Sequence, residues 1–131
     1  KIAEIESGET IECFGDGEQT RSFLYVDEAV EGVVRLMESY YPAPVNIGSS
    51  EMVSINQMIA MLADISGKRV NVKHVDGPLG VRGRNSDNTL IEQELGWKPT
   101  ESLRAGLEKT YPWIAEQVLT RKKLLDSVAS K

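Results

Sequence analysis

The chain has 131 residues, enough for one domain with a core of its own. Its 40% hydrophobic and 27% charged composition excludes disordered and collagen-like classes. A formal net charge of −5 argues against a nucleic-acid partner, and no apolar run approaches the ~18 residues of a membrane span.

The first residues, "KIAEIES" (Lys1 to Ser7), read as the last two turns of a helix, with Ile2 and Ile5 on one face and Gly8 as the stop. No start signal precedes them, so the chain reads as a piece of a longer protein. "TIECF" (Thr10 to Phe14) alternates like a strand, and "GDGEQ" after it is turn chemistry. "RSFLYV" (Arg21 to Val26) is a second strand. Asp27 is positioned to cap a helix from Glu28 to about Ser39, with Ala29, Val30, Val33, Leu36 and Met37 as its apolar stripe. Pro42 ends that helix. "PVNIG" (Pro44 to Gly48) reads as a short buried strand.

Ser54 and Gln57 form a capping box for a helix running to about Ser66, with Gly67 as its C-terminal stop. "VNVKHV" (Val70 to Val75) alternates as a strand. Asp76 to Asn85 is a loop rich in Gly, Pro and Arg, read as mobile. Ser86 or Asp87 caps a short helix that stops at Gly96. The last helix starts near Ser102 and runs past Gln117, with Pro112 expected to kink or split it. The polar tail after Arg121 is expected to fray. Short strands between helices give a small α/β or mixed α+β unit, one domain over residues 1–131, without internal repeats.

Residues for catalysis are sparse. His74 is the one histidine and sits at the end of a strand, where a structural role is the default. Cys13 alternates with strand neighbours and has no base nearby in sequence, which suits a buried inert thiol. A single cysteine forms no internal disulfide and no CxxC site, so a reducing, cytoplasmic setting is the expectation. None of Tyr25, Tyr40, Tyr41 and Tyr111 is followed by Lys four positions on. "GPLGVRG" (Gly77 to Gly83) matches G-x-x-G-x-x-G by letter, and a strand precedes it. "RNSDN" follows, however, where a dinucleotide site needs the apolar stripe of a helix. Its better reading is a loop presenting Arg82 and Arg84.

Arginine carries a planar fork of donors that matches phosphate oxygens. Arg82 and Arg84 flank a glycine just before a capped helix start, where Ser86 and free amides add donors. Arg21 follows the glycine turn. Taken singly, each is equally a solvated basic side chain.

Taken together, these stretches resemble a known family. "FGDGEQTRSFLYVDEAVEGVVRLME", "PVNIGSSEMVSINQM", "LGWKP" and the helix from Leu103 occur in the order found in extended short-chain dehydrogenase/reductases that act on nucleotide sugars. Within that family, "GPLGVRGRNSDN" is most similar to the branch that epimerises GDP-mannose at C3 and C5.

The resemblance implies a C-terminal substrate-binding lobe, with the Rossmann lobe absent from this chain. NAD would be bound by that missing N-terminal domain and not by these residues. Arg21 would reach the diphosphate of a nucleotide-diphosphate sugar, GDP-mannose in the implied branch. Asn46 would contact substrate. Arg84, with Arg82, would form the second diphosphate-binding region, Ser86 beside them. The parent would be an NAD-dependent epimerase, working as a homodimer. Its catalytic residues would lie in the other lobe, and Cys13 would not be one of them. A UDP-sugar epimerase, decarboxylase or dehydratase of the same family, a non-catalytic sugar-nucleotide module and a structural dimerisation module are the competing readings.

Overall fold

The computed structural model describes residues 1–78 and 80–129. Leu79 of the glycine-rich string and Ser130 and Lys131 of the tail lie outside the described residues. Among them are five short strands and four helices: β1 (Thr10–Phe14), β2 (Thr20–Arg21), α1 (Val26–Glu38), β3 (Val53–Ser54), α2 (Ile55–Ser66), β4 (Asn71–Val75), β5 (Gly83–Arg84), α3 (Thr89–Leu95) and α4 (Leu103–Ala129).

β1 alternates as its sequence demands, with Ile11 and Cys13 turned inward. It pairs in parallel with β4, Cys13 opposite His74. α2 lies over this pair. Ile2, Ile11, Cys13 and Ile59 form the main core, with Ile5, Ile55, Leu62, Val70 and Tyr111 packed around it. The capping box at the start of α2 is complete: Ser54 Oγ accepts from Gln57 N at 3.1 Å, and Gln57 Oε1 accepts from Ser54 N at 2.8 Å. Gly67 closes α2 in the left-handed region at φ 66°, where a side chain would be strained.

The second sheet has the order β3-β2-β5. β2 is antiparallel to β3 and parallel to β5, with Thr20 opposite Gly83 and Arg21 opposite Arg84. This small sheet positions the cleft described below.

Several expectations are corrected. Lys1 to Ser7 forms hydrogen-bonded turns, Glu4 N to Lys1 O at 2.8 Å among them, rather than two turns of α-helix. Of the second stretch only Arg21 pairs as a strand, with Thr20 before it; Ser22 to Tyr25 have no ladder and Val26 begins α1. Pro44 to Gly48 likewise forms no strand, and Pro44 and Asn46 are exposed. Its ties to neighbours are single bonds, such as Asn88 Nδ2 to Gly48 O at 2.6 Å.

Asp27 is not the cap of α1. Tyr25 takes the cap position, without a side-chain bond, and Asp27 falls in the first turn. There it accepts a bond from the Tyr25 hydroxyl, which raises the phenol above its ordinary pKa. The cap of α3 is Asn88 rather than Ser86 or Asp87, although Asp87 Oδ1 accepts from Thr89 N at 3.0 Å. Gly83 and Arg84 belong to β5 rather than to an unpaired loop. α4 runs unbroken through Pro112 and on to Ala129, beyond the point where fraying was expected. Lys122, Lys123, Leu124 and Leu125 are good helix formers, which favours continuation.

The apolar stripe of α1 is the largest surprise. The face with Gly32 turns inward: a Cβ there would press on Ile47 and Trp97. Val30, Val33 and Met37 point outward and are exposed. No helix among the described residues is long and apolar enough to cross a membrane.

Candidate functional site

The parallel pairing of β2 and β5 builds the site. Register partners on adjacent parallel strands project from the same face about 4.8 Å apart. Arg21 and Arg84 are such partners, and both line one cleft of about 370 Å³. Thr20 and Gly83 face the other side, where a Cβ on Gly83 would meet Thr20 Oγ1 and Met52.

The rest of the wall comes from two segments. Asn46, Ile47, Gly48 and Ser49 form one side, and Asn85 and Ser86 the other, with Ser22 and Leu24 leading away from β2. The two sides touch where Gly48 meets Ser86. A Cβ on Gly48 would lie 2.6 Å from Ser86 Cβ, so only glycine permits this approach. Ser86 is held in turn by its hydroxyl, which donates to Asn88 Oδ1 at 2.8 Å. Asn46 Nδ2 lies 3.5 Å from Asp87 O.

The charge pattern is one-sided. No carboxylate lines the cleft. Among the described residues neither Arg21 nor Arg84 forms an ion pair. Arg21 Nη1 donates to Thr20 O at 2.6 Å, which fixes the start of the fork and leaves donors free. Arg21 and Arg84 bring two positive charges to one cleft that no carboxylate lines, and a bound anion would offset them. The donors suit a phosphate or diphosphate.

Arg82 is placed differently from its two companions. Its Nη1 lies 3.0 Å from Asp16 Oδ2, in the turn after β1, and it does not line the cleft. The Glu18 amide and then Arg82 hold the Asp16 carboxyl below its ordinary pKa. Arg82 thus ties the segment before β5 to the Gly15–Gly17 turn. Arg21, Arg84, Asn46 and Ser86 come together; Arg82 stands apart. Ser22, Leu24, Ile47, Gly48, Ser49 and Asn85 are wall residues that sequence reasoning missed. The repeated small residues of "NIGSS" were the available signal for the first group.

No Asp, Glu, His, Cys, Tyr or Lys side chain lines this cleft; its hydroxyls are those of Ser22, Ser49 and Ser86. Cys13 is buried in the main core. His74 lies outside the cleft, its Nε2 3.0 Å from Asn56 Oδ1. Asn56 Nδ2 donates to Asp16 O and Glu18 Oε1, so its oxygen accepts and the His74 nitrogen donates. No group of three or more His, Cys, Asp or Glu able to hold a metal occurs among the described residues. The described residues of the glycine-rich string do not lead into the helix a dinucleotide site needs: its last residue, Gly83, begins β5, and the next helix, α3, has seven residues.

The sequence is 53% identical over 116 residues to GDP-mannose 3,5-epimerase 1 of Oryza sativa, covering 88% of this chain and 31% of the relative. The fold matches UDP-glucose 4-epimerase of Thermotoga maritima, solved with UDP-glucose, at a TM-score of 0.78 and 30% identity, over 89% of this chain and 37% of that one. UDP-glucuronic acid 4-epimerase of Bacillus cereus, solved with UDP-glucuronic acid and NAD, matches at a TM-score of 0.75 and 34% identity, over 82% of this chain and 36% of that one. The chain therefore spans about a third of the length of the proteins it matches. The profile of the GDP-mannose 4,6 dehydratase family covers residues 1–110, and the chain belongs to that family.

Proposed function

We propose that this chain is the sugar-nucleotide-binding lobe of an NAD-dependent epimerase, and that its substrate is GDP-mannose. The observation that carries the reading is the Arg21–Arg84 pair: two unpaired guanidinium groups, in register, on the wall of a cleft without carboxylates. A diphosphate offers enough oxygens to engage both forks at once. Asn46, Ser86 and Asn85 supply neutral donors and acceptors for the sugar or ribose. Arg82 is a loop tie in this reading, since Asp16 already neutralises it.

NAD, when bound by the remainder of the polypeptide, supplies reversible hydride transfer at the sugar. Among the described residues the cleft offers sites for the diphosphate and sugar rather than for NAD. Its work is orientation: fixing the diphosphate anchors one end of the substrate and restricts where the sugar carbons lie. Binding energy spent far from the reacting carbon is useful in this way. The choice of GDP-mannose over a UDP-sugar rests on the 53% identity to a GDP-mannose epimerase. The arginines cannot make that choice, because every sugar nucleotide carries the same diphosphate. We further propose that the complete enzyme is a cytoplasmic homodimer.

The test is a substrate panel for the full-length gene product. GDP-mannose, UDP-glucose, UDP-glucuronate and dTDP-glucose are supplied in parallel, and epimers are resolved by chromatography. Turnover of GDP-mannose alone supports the reading. Exclusive turnover of a uridine or thymidine substrate rejects GDP-mannose and leaves the binding role standing. No effect of pyrophosphate or GDP on the chain rejects the binding role itself.

A further inference from the structure

Arg21 and Arg84 reach one cleft from two strands that are held very differently. β2 lies in the middle of its sheet, paired on both sides, and Ile55 N donates to Gln19 O at 3.2 Å just before it. β5 is an edge strand of two exposed residues. Among the described residues, one side-chain bond ties residues 80–84: Arg82 Nη1 donates to Asp16 Oδ2 at 3.0 Å. Thr20 N donates to Arg82 O at 2.9 Å, so the tie sits where the β2–β5 ladder begins. A two-residue edge ladder opens at low cost, and the arginine it carries moves with it.

Asp16 is itself fixed from the core. Asn56, in the first turn of α2, donates from Nδ2 to Asp16 O at 2.9 Å and to Glu18 Oε1 at 2.7 Å. Its own amide donates to Gly17 O at 3.1 Å, and its Oδ1 accepts from His74 Nε2. The Asp16 carboxylate has a second partner, since its Oδ1 accepts from Glu18 N at 2.9 Å. Gly17 has a φ of 71°, and a Cβ there would collide with the Asn56 side chain, so the turn needs glycine on both counts. α2 stands on the main core through Ile55 and Ile59. A continuous path therefore runs from the core through Asn56 and Asp16 to Arg82, two residues before Arg84. The same turn leads into β2, so both cleft arginines take their positions from one anchor.

We propose that Asp16 and Asn56 are positioning residues for the anion cleft: Asn56 fixes the Gly15–Gly17 turn, and the Asp16 carboxylate holds Arg82 so that Arg84 stays in register with Arg21. This rests on the binding role assigned to the arginine pair, and the experiment separates the two. Charge alone predicts the opposite sign. Removing a negative charge near an anion site strengthens binding if only Coulomb attraction acts. Removing a tether weakens it.

The experiment is calorimetric titration of inorganic pyrophosphate into the full-length gene product, saturated with NAD and held well below its melting temperature. Wild type is compared with Asp16→Asn, Arg82→Gln, the double variant, Arg82→Lys and Asn56→Ala. An exposed ion pair shifts an equilibrium by up to about fivefold, and affinity falls with the fraction of molecules in the competent arrangement. Asp16→Asn can still accept from the Glu18 amide and loses the charge that holds Arg82, so it should weaken binding by about two- to fivefold. In the Arg82→Gln background the same change should cost nothing, because the tether is already gone. Arg82→Lys keeps a cation within reach of Asp16 and should stay within about twofold of wild type. Asn56→Ala alters no charge and should also weaken binding.

Stronger binding by Asp16→Asn with weaker binding by Arg82→Gln overturns the proposal and makes Arg82 a direct contact of the anion. Unchanged affinity in Asp16→Asn and Asn56→Ala overturns it while the cleft stands. An equal cost of Asp16→Asn in both backgrounds overturns it as well. If wild type binds no pyrophosphate, the cleft is rejected and the proposal with it.

Discussion

Replacing Gly48 with alanine tests how the cleft is held at its width. The added Cβ would lie 2.6 Å from Ser86 Cβ and 2.9 Å from Ser86 Oγ. Carbon atoms pack at about 3.5–4.0 Å, so the two walls must part by roughly 1 Å. Gly48 is not among the positive-φ glycines, so alanine adds crowding without backbone strain. Overpacking of this kind costs about 1–3 kcal/mol. Part of that cost falls on the Asn88 to Gly48 carbonyl bond and on the seat of Ser86.

Thermal unfolding and pyrophosphate titration should both register the change, with weaker binding and a lower melting temperature. The clash is with Cβ, so Ser86→Ala should not relieve it. Ser86→Gly should, and the double variant should recover most of the stability lost by Gly48→Ala. A double variant no better than Gly48→Ala alone would show that the two walls do not meet there.

Asp16 gives a pH signature. Its folded pKa is depressed, by the Glu18 amide first and Arg82 second, so its contribution is present above the ordinary value of 3.8 and is lost as pH falls through the lower folded value. The stability curves of wild type and Asp16→Asn should therefore separate at neutral pH and converge in acid; parallel curves down to the acid limit would contradict this. Ser54→Ala removes the capping box of α2 and should lower stability by about 1 kcal/mol, measured by denaturant unfolding with an unchanged slope. Equilibrium dialysis of the isolated chain against NAD should show no retention; micromolar binding would return Gly77–Gly83 to the role of a cofactor loop.

What was legible in the sequence was local. β1, the Ser54–Gln57 box and the Gly67 stop are each specified by residues within a few positions, and the structure contains all three. Strands were overread where only propensity spoke. "RSFLYV" and "PVNIG" are rich in apolar residues, but a strand exists only with a ladder partner, and sequence does not name one. Asp27 has a good capping side chain, yet α1 starts at Val26, so Asp27 falls in its first turn rather than at the cap. The α1 stripe shows a different limit. Periodicity reveals that a face is apolar but not what covers it. Here the inner face is set by Gly32, which contributes no hydrophobic signal at all. The arginines were visible as residue types. That Arg21 stands beside Arg84 and Arg82 does not follows from the β2–β5 register and from the position of Asp16, both non-local facts.

The central claim is that Arg21 and Arg84 share one diphosphate, and a double-mutant cycle tests it most directly. Pyrophosphate or GDP is titrated into wild type, Arg21→Ala, Arg84→Ala and the double variant by calorimetry. Each single change should cost about 1.5–3 kcal/mol, the range for a hydrogen bond to a charged group. Because the two forks hold the same anion, the double loss should depart from the sum of the single losses by at least about 0.5 kcal/mol. Arg84→Ala also removes one of two like charges that line the cleft, so its ligand-free melting temperature should hold or rise while affinity falls. Unchanged affinity in both single variants, or strict additivity with a lowered melting temperature, would show that the pair serves the fold and not a shared anion.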